Sequence, residues 1–255
     1  MLDLTYPAVI ATAKLSFRAL GQRFQMAGTE QVPRTGGVLL AVNHVGYVDY
    51  VYGGLAANPS GRYVRFMAKK EIFDHPVGGP VMRSFHHIEV DRGEGAASAA
   101  KAVEYLRQGE AVGIFPEATI SRSFEIKELK TGAVRIAAMA GVPLLPVVIF
   151  GTHRMWTKDH PRDFSRGKTI GVHVGAPLHP TAADPVAETA ELHESMKALL
   201  DKAIDLYPED EKPAGAWWIP ARRGGSAPTL DEAERLDAEE KRARAAKRAE
   251  KRRAS

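Results

Sequence analysis

Short apolar runs alternate with helical patterns as far as residue 206, and this order constrains the fold more than any other feature of the chain. The runs Gly37–Val42, Tyr63–Ala68, His87–Val90, Ala111–Phe115, Leu144–Phe150 and Thr169–Val174 read as strands. Helical spacing falls between them, at about 48–57, 76–84, 94–108 and 131–140, and again after the last run at 186–206. Strand and helix in turn, with brief Gly and Pro punctuation, predict an α/β fold with a single central mixed, mostly parallel sheet flanked by helices. Residues 1–30 are expected to add an N-terminal amphipathic helix, with Tyr6, Val9, Ile10, Ala13, Phe17, Leu20 and Phe24 on one stripe. Such a stripe packs on a core or lies on a membrane surface. The α/β core is expected over 31–207, a Pro/Gly/Trp arm over 208–228 and a basic, charged helical tail over 229–255.

Charge and cysteine usage narrow the chemistry. The chain has 255 residues and no cysteine, which excludes disulfides, thiolate nucleophiles and Cys-based metal sites and suits a reducing cytosol. The net charge of +4 is a property of the tail: the segment Lys241–Ser255 holds eight Lys or Arg against one Glu, so the remainder is slightly acidic. The tail has almost no large apolar residues, and a solvated or frayed helix is expected there, with Thr229 as N-cap. Its basic end could touch anionic lipid at roughly 1 kcal/mol per charge. Nucleic acid is not an expected partner, because no aromatic or folded reader accompanies the charge. Trp217 and Trp218, followed by Arg222 and Arg223, suit either a bilayer interface or a cap on the core. No window approaches the roughly 18 apolar residues of a membrane span. The N-terminus is interrupted by Lys14 and Arg18 and reads as neither a signal peptide nor a transmembrane helix.

Two polar clusters follow strand ends. Asn43-His44-Val45-Gly46-Tyr47-Val48-Asp49 comes directly after Val38–Val42 and sets an imidazole five residues before a carboxylate. A carboxylate that holds one ring nitrogen leaves the other free as a general base near neutral pH. The second cluster, Phe115-Pro116-Glu117-Ala118-Thr119-Ile120-Ser121-Arg122-Ser123, follows another apolar run. Arg122 can grip phosphate, Thr119, Ser121 and turn amides can add hydrogen bonds, and Glu117 is expected to orient an arginine or the acceptor's hydroxyl. Arg92, Lys127 and Lys130 are further candidate cations. Singly, each is more often a solvated charge. Jointly, after strand ends, they point to acyl transfer onto a phosphorylated alcohol, with His44 and Asp49 as the catalytic pair.

The segments Asn43–Asp49, His87–Arg92, Phe115–Ser123 and Val142–Val147 resemble the four ordered motifs of the glycerolipid acyltransferases, the 1-acylglycerol-3-phosphate branch above all. The resemblance covers residues 36–150 directly. It implies a fatty acyl chain moved from acyl-CoA or acyl-carrier protein, as co-substrate, to the hydroxyl of a lysophosphatidic acid-type glycerolipid, without metal or bound cofactor. It also implies peripheral association with the cytoplasmic face of a membrane and phospholipid synthesis as the setting. By match, Arg92, Glu117 and Arg122 would serve the acceptor, while Pro143 and Pro146 would shape the pocket wall. The third motif departs from the family's pattern: Ala118 stands where Gly is usual, and the arginine comes two residues late, at Arg122. A lysophospholipid or other polar-lipid acceptor, or a lipid-binding protein that has lost catalysis, are the alternatives. His86-His87-Ile88-Glu89-Val90-Asp91 also resembles the His-His-x3-Asp core of the condensation-domain acyltransferases, but Arg92 replaces the glycine that normally follows.

Overall fold

Residues 38–42 are apolar on both faces of their strand, and burial on both faces is the mark of a central strand in a parallel sheet. The computed structural model describes residues 6–76, 78–91 and 95–254, and Arg92, one of the expected acceptor ligands, lies outside them. Seven strands form one sheet: β1 (Arg23–Ala27), β2 (Val38–Val42), β3 (Val64–Lys69), β4 (Ile88–Val90), β5 (Ala111–Ile114), β6 (Leu144–Phe150) and β7 (Thr169–Val174). Their order is β1-β7-β6-β2-β5-β3-β4, and every pair is parallel except β6 with β7. The helices are α1 (Tyr6–Ala19), α2 (Asp49–Gly53), α3 (Lys70–Phe73), α4 (Gly78–Ser84), α5 (Gly95–Arg107), α6 (Gly132–Ala140), α7 (Pro185–Leu206) and α8 (Leu230–Ala254).

The alternation of side chains along each strand divides the core into two layers. On one face Leu39, Ala41, Leu144 and Val148 meet the apolar sides of α5, α6 and α7, through residues such as Leu106, Ile136 and Met196. On the other, Val38, Leu40, Val42, Val147 and Ile149 meet Phe17 of α1 and Tyr52 of α2. The mostly parallel α/β sheet expected from the sequence is therefore present, with helices on both faces.

Two sequence expectations change. The N-terminal helix stops at Ala19, because Gly21 turns the chain at φ +56°, and residues 23–27 form β1 instead of extending the helix through Phe24. The arm at 208–228 packs on protein. Trp218 is buried among Phe150, Tyr207 and His153, and Trp217 stacks on His160 with ring centroids 3.8 Å apart. Arg222 pairs with Glu125 and Asp201, and Arg223 with Asp205. No described helix is long and apolar enough to cross a membrane.

Candidate active site

β2 and β5 are adjacent and parallel, so their C-terminal ends bring the two polar clusters together at one edge of the sheet. This is where ligands bind in open α/β sheets. Asn43 pins the end of β2. Its side-chain amide donates to the carbonyl of Ile149 at 3.1 Å and accepts from the Ile149 amide at 2.7 Å, which prolongs the ladder to β6 by one side chain. The next residue, His44, leaves the sheet, and its ring stacks on Phe115 at the end of β5, with centroids 4.4 Å apart.

The turn after His44 closes on a carboxylate. Asp49, fully buried at the start of α2, has one oxygen 3.0 Å from His44 Nδ1 and within 2.6 and 2.7 Å of the Val45 and Gly46 amides. Its other oxygen accepts from the Thr152 hydroxyl at 2.6 Å. Gly46 permits the turn, since a Cβ there would lie 2.9 Å from the Trp156 carbonyl. With Nδ1 held as the N–H side, His44 keeps Nε2 as its free nitrogen, and its side chain is 23% exposed and lines a cavity of about 1640 Å³. That volume exceeds the roughly 300–1,000 Å³ of a typical small-ligand pocket. Apolar side chains such as Phe17 of α1, Met82 of α4 and Phe85 just after α4 line much of it.

The second cluster is tied to the first by backbone contacts. Glu117 is buried, and its two oxygens accept from the His44 amide at 2.7 Å and the Lys127 amide at 3.0 Å. The sequence expected Glu117 to orient an arginine or a substrate hydroxyl; in the structure it braces the backbone behind His44. Burial pushes its carboxyl up to about 8, against the pull of those two amides. The Ser121 amide donates to the His44 carbonyl at 2.7 Å, and the Ser121 hydroxyl donates to the Glu125 carbonyl at 2.8 Å. Ser121 is thus sealed inside the loop. Thr119 lines the cavity and accepts from Lys158 Nζ at 3.2 Å. Lys130 also lines it, largely exposed, with Glu128 at 3.5 Å. Arg122 instead turns toward α8 and contacts Asp159, Asp237 and Glu240. Ala118 adopts φ +58°, so the chain keeps the left-handed turn without the glycine that usually makes it.

Three further expectations can be placed. Pro143 precedes β6, and Pro146 is level with Ala41 of β2, three residues before His44; neither lines the cavity. His87, the rival base, accepts from the Phe66 amide through Nδ1 at 2.9 Å. Burial and the neighbouring Arg65 lower its pKa to about 4. Its ring packs edge-on to Phe66 and Phe85, so it is a core histidine. The sequence reading did not single out Asn43, Phe115, Thr152 or Lys158, which hold or flank the pair; only the position of Asn43, next to the histidine after a strand, offered a signal.

Comparison with known proteins agrees with this geometry. The acyltransferase family model matches residues 23–150. The 1-acyl-sn-glycerol-3-phosphate acyltransferase of Bacillus subtilis is 33% identical over 185 residues, covering 69% of this chain and 88% of that protein. The enzyme of the same name from Borreliella burgdorferi is 28% identical over 177 residues, or 67% of this chain and 68% of that protein. Among solved structures, the 1-acyl-sn-glycerophosphate (LPA) acyltransferase PlsC of Thermotoga maritima shares the fold, with a TM-score of 0.66 over 80% of this chain and 81% of that one at 21% identity. The sheet that joins the two clusters, the buried Asp49 behind His44 and the match across both motifs lead to one conclusion: this chain belongs to the acyltransferase family.

Proposed function

We propose that this acyltransferase moves a fatty acyl chain from a thioester, acyl-CoA or acyl-carrier protein, to the free hydroxyl of a 1-acylglycerol 3-phosphate at a membrane surface. The observation that carries the reading is an imidazole held at Nδ1 by a buried, fully satisfied carboxylate, at the edge of a large apolar cavity. Nε2 of His44 takes the hydroxyl proton as that oxygen attacks the thioester carbonyl. The tetrahedral adduct collapses, the C–S bond breaks, and the imidazolium returns the proton to the departing sulfur. Asp49 fixes the tautomer and stabilises the imidazolium. General-base help of this kind contributes about 10²–10⁴ in rate. Phe115 supports the ring from one face, and Glu117 braces the peptide that carries it.

A rim of apolar side chains supports the membrane part of the reading. Val9, Tyr47, Tyr50, Ile72, Val81 and Phe164 are all exposed, and all line the cavity. Such a patch fits the interface of a bilayer, where a lipid acceptor could enter without crossing water. This role falls to α1, the rim and the basic end of α8, not to the buried Trp218 arm. One observation favours a second acceptor class: Arg122 is engaged by three acids, so a lysophospholipid without a phosphate monoester would lose less there. Mass spectrometry of products from palmitoyl-CoA with lysophosphatidic acid, and in parallel with lysophosphatidylglycerol, separates the two. Phosphatidic acid as the main product is expected. Product only from lysophosphatidylglycerol would replace the acceptor, and thiol release without any acceptor would replace the reaction by thioester hydrolysis.

A further inference from the structure

α8 carries its charges in segregated blocks, and its acidic part lies over a cluster of cations. Arg122 and Lys127 come from the loop after β5, and Lys158 from the loop after β6. Asp237 contacts all three: it pairs with Arg122 and Lys127 and accepts from Lys158 Nζ at 3.0 Å. Glu240, one turn further on, accepts from Arg122 Nη2 at 3.0 Å and lies 3.2 Å from Lys158 Nζ. Lys127, Lys158, Asp237 and Glu240 line the same cavity as His44. Burial pushes both carboxyls up, but the cations more than offset it and hold both below their ordinary values.

The apolar contact is limited. Among the described side chains of α8, Ala233 is buried, Leu236 and Ala238 are half-buried and Leu230 is exposed. A capping box starts the helix: the Glu232 carboxylate accepts from the Thr229 amide at 2.8 Å, and Thr229 Oγ1 accepts from the Glu232 amide at 3.3 Å. The helix is therefore well formed in itself but held over the cavity mainly by charge. The expectation of a solvated tail fails for its acidic part, where Asp237 and Glu240 contact the cations.

We infer that α8 is a built-in competitor for the acceptor's anionic headgroup: Asp237 and Glu240 occupy the cations Arg122, Lys127 and Lys158 that a phosphate monoester takes, and they must let go for it to bind. The inference rests on the phosphorylated acceptor proposed above. Two carboxylates on successive turns present four oxygens and two negative charges, close to the charge and acceptor capacity of a phosphate monoester at neutral pH. The exchange conserves charge, and the apparent affinity for phosphate is reduced by the fraction of molecules in which the helix still holds the cations.

The test is equilibrium binding to the full chain without an acyl donor, so that no turnover occurs. Calorimetry with short-chain lysophosphatidic acid, lysophosphatidylglycerol and monoacylglycerol compares the parent chain with Asp237→Asn/Glu240→Gln. The double variant is expected to bind the phosphorylated ligand at least about ten-fold more tightly, with monoacylglycerol unchanged. The charge-conserving variant Asp237→Glu/Glu240→Asp is expected to stay near the parent, and equal tightening there would show that lost packing, not charge, is responsible. Unchanged or weaker binding of lysophosphatidic acid by the neutral variant, with its thermal unfolding intact, would overturn the competitor and make the two acids part of the site. If neither protein binds the phosphorylated ligand but both bind lysophosphatidylglycerol, the proposed acceptor fails and the competitor with it.

Discussion

The two ends of the cavity are built on opposite principles. At His44 the polar groups are sealed and over-determined: Asp49 is fully buried and has four partners drawn from two loops. At Arg122 the cation is buried, but its acid partners stay partly in water, and two of them, Asp237 and Glu240, come from α8. In a buried site each lost partner leaves a desolvated charge, so the geometry is rigid and one state dominates. Ion pairs whose acids stay partly in water are screened and exchange more readily with another anion. Under the proposed function, the fixed geometry falls where a proton would move and the more exchangeable charge where the acceptor's headgroup would bind.

The comparison breaks most directly at His44. His44→Ala should cost about 10²–10⁴ in kcat but less stability than loss of the carboxylate, since the ring is partly exposed and Asp49 keeps its other three donors. Asp49→Asn should cost at least as much activity and also stability, because one amide oxygen cannot serve two N–H donors and the Thr152 hydroxyl. Leaving buried donors unmet costs about 1–3 kcal/mol each. Urea titration of both variants checks the contrast, and equal destabilisation would contradict the division between a reacting ring and a structural carboxylate.

Thr152→Val sharpens it. The substitution removes the one donor to the second Asp49 oxygen, and a charge-assisted bond of this kind is worth about 1.5–3 kcal/mol. As a positioning residue, Thr152 should affect kcat with KM for the acceptor unchanged, by up to about ten-fold. Thr152→Ser, which restores the hydroxyl, should recover most of that loss; no recovery would remove Thr152 from the site.

Much of the sheet was legible, and the reason is burial. β2 and β6 are enclosed on both faces, so their residues form unbroken apolar runs. β1 is an edge strand of mixed exposure, and its Phe24 falls on the spacing of the preceding helix, so the period alone joined the two. The contact between His44 and Asp49 was legible because the two are five residues apart and locally closed. The contacts of Glu117, Ser121 and Arg122 were not. Residue type gives a hydrogen-bonding capacity, whereas the direction of each side chain in a loop depends on contacts from elsewhere, such as Asp237, 115 positions from Arg122.

Acid should loosen the molecule through three buried histidines, one of which, His87, also lines the cavity. His87, His153 and His173 are buried, and burial lowers the pKa of each from 6.5 to about 4. Neither ring nitrogen of His173 has a hydrogen-bond partner, and Nδ1 of His153 has none. Between these values the unfolded chain binds more protons than the native one, so stability falls as pH drops from about 6.5 toward 4 and gains nothing from these groups above that window. Each histidine adds a slope of up to about 1.4 kcal/mol per pH unit. Unfolding free energies from urea titrations between pH 4.5 and 7 should show a shallower fall for His173→Leu. An unchanged slope would mean that His173 is charged or solvated in the native state.

The smallest expected effect sits in the loop that joins the two ends. Ala118 follows Glu117, which braces His44, and precedes Thr119, which contacts Lys158 of the cation cluster. Its φ of +58° costs a residue with a Cβ about 1–2 kcal/mol, while glycine in its place would lose roughly 0.5–1 kcal/mol of extra backbone freedom on folding. Ala118→Gly should therefore stabilise the protein by no more than about 1 kcal/mol, read from the urea midpoint. The effect on activity distinguishes the two ends. If the turn only sets the backbone behind His44, kcat and KM both stay near the parent values. If the stiffer alanine also fixes the cation loop, glycine should change KM for the acceptor while leaving kcat alone, and a change in kcat with KM constant would show that the two ends are not separately built.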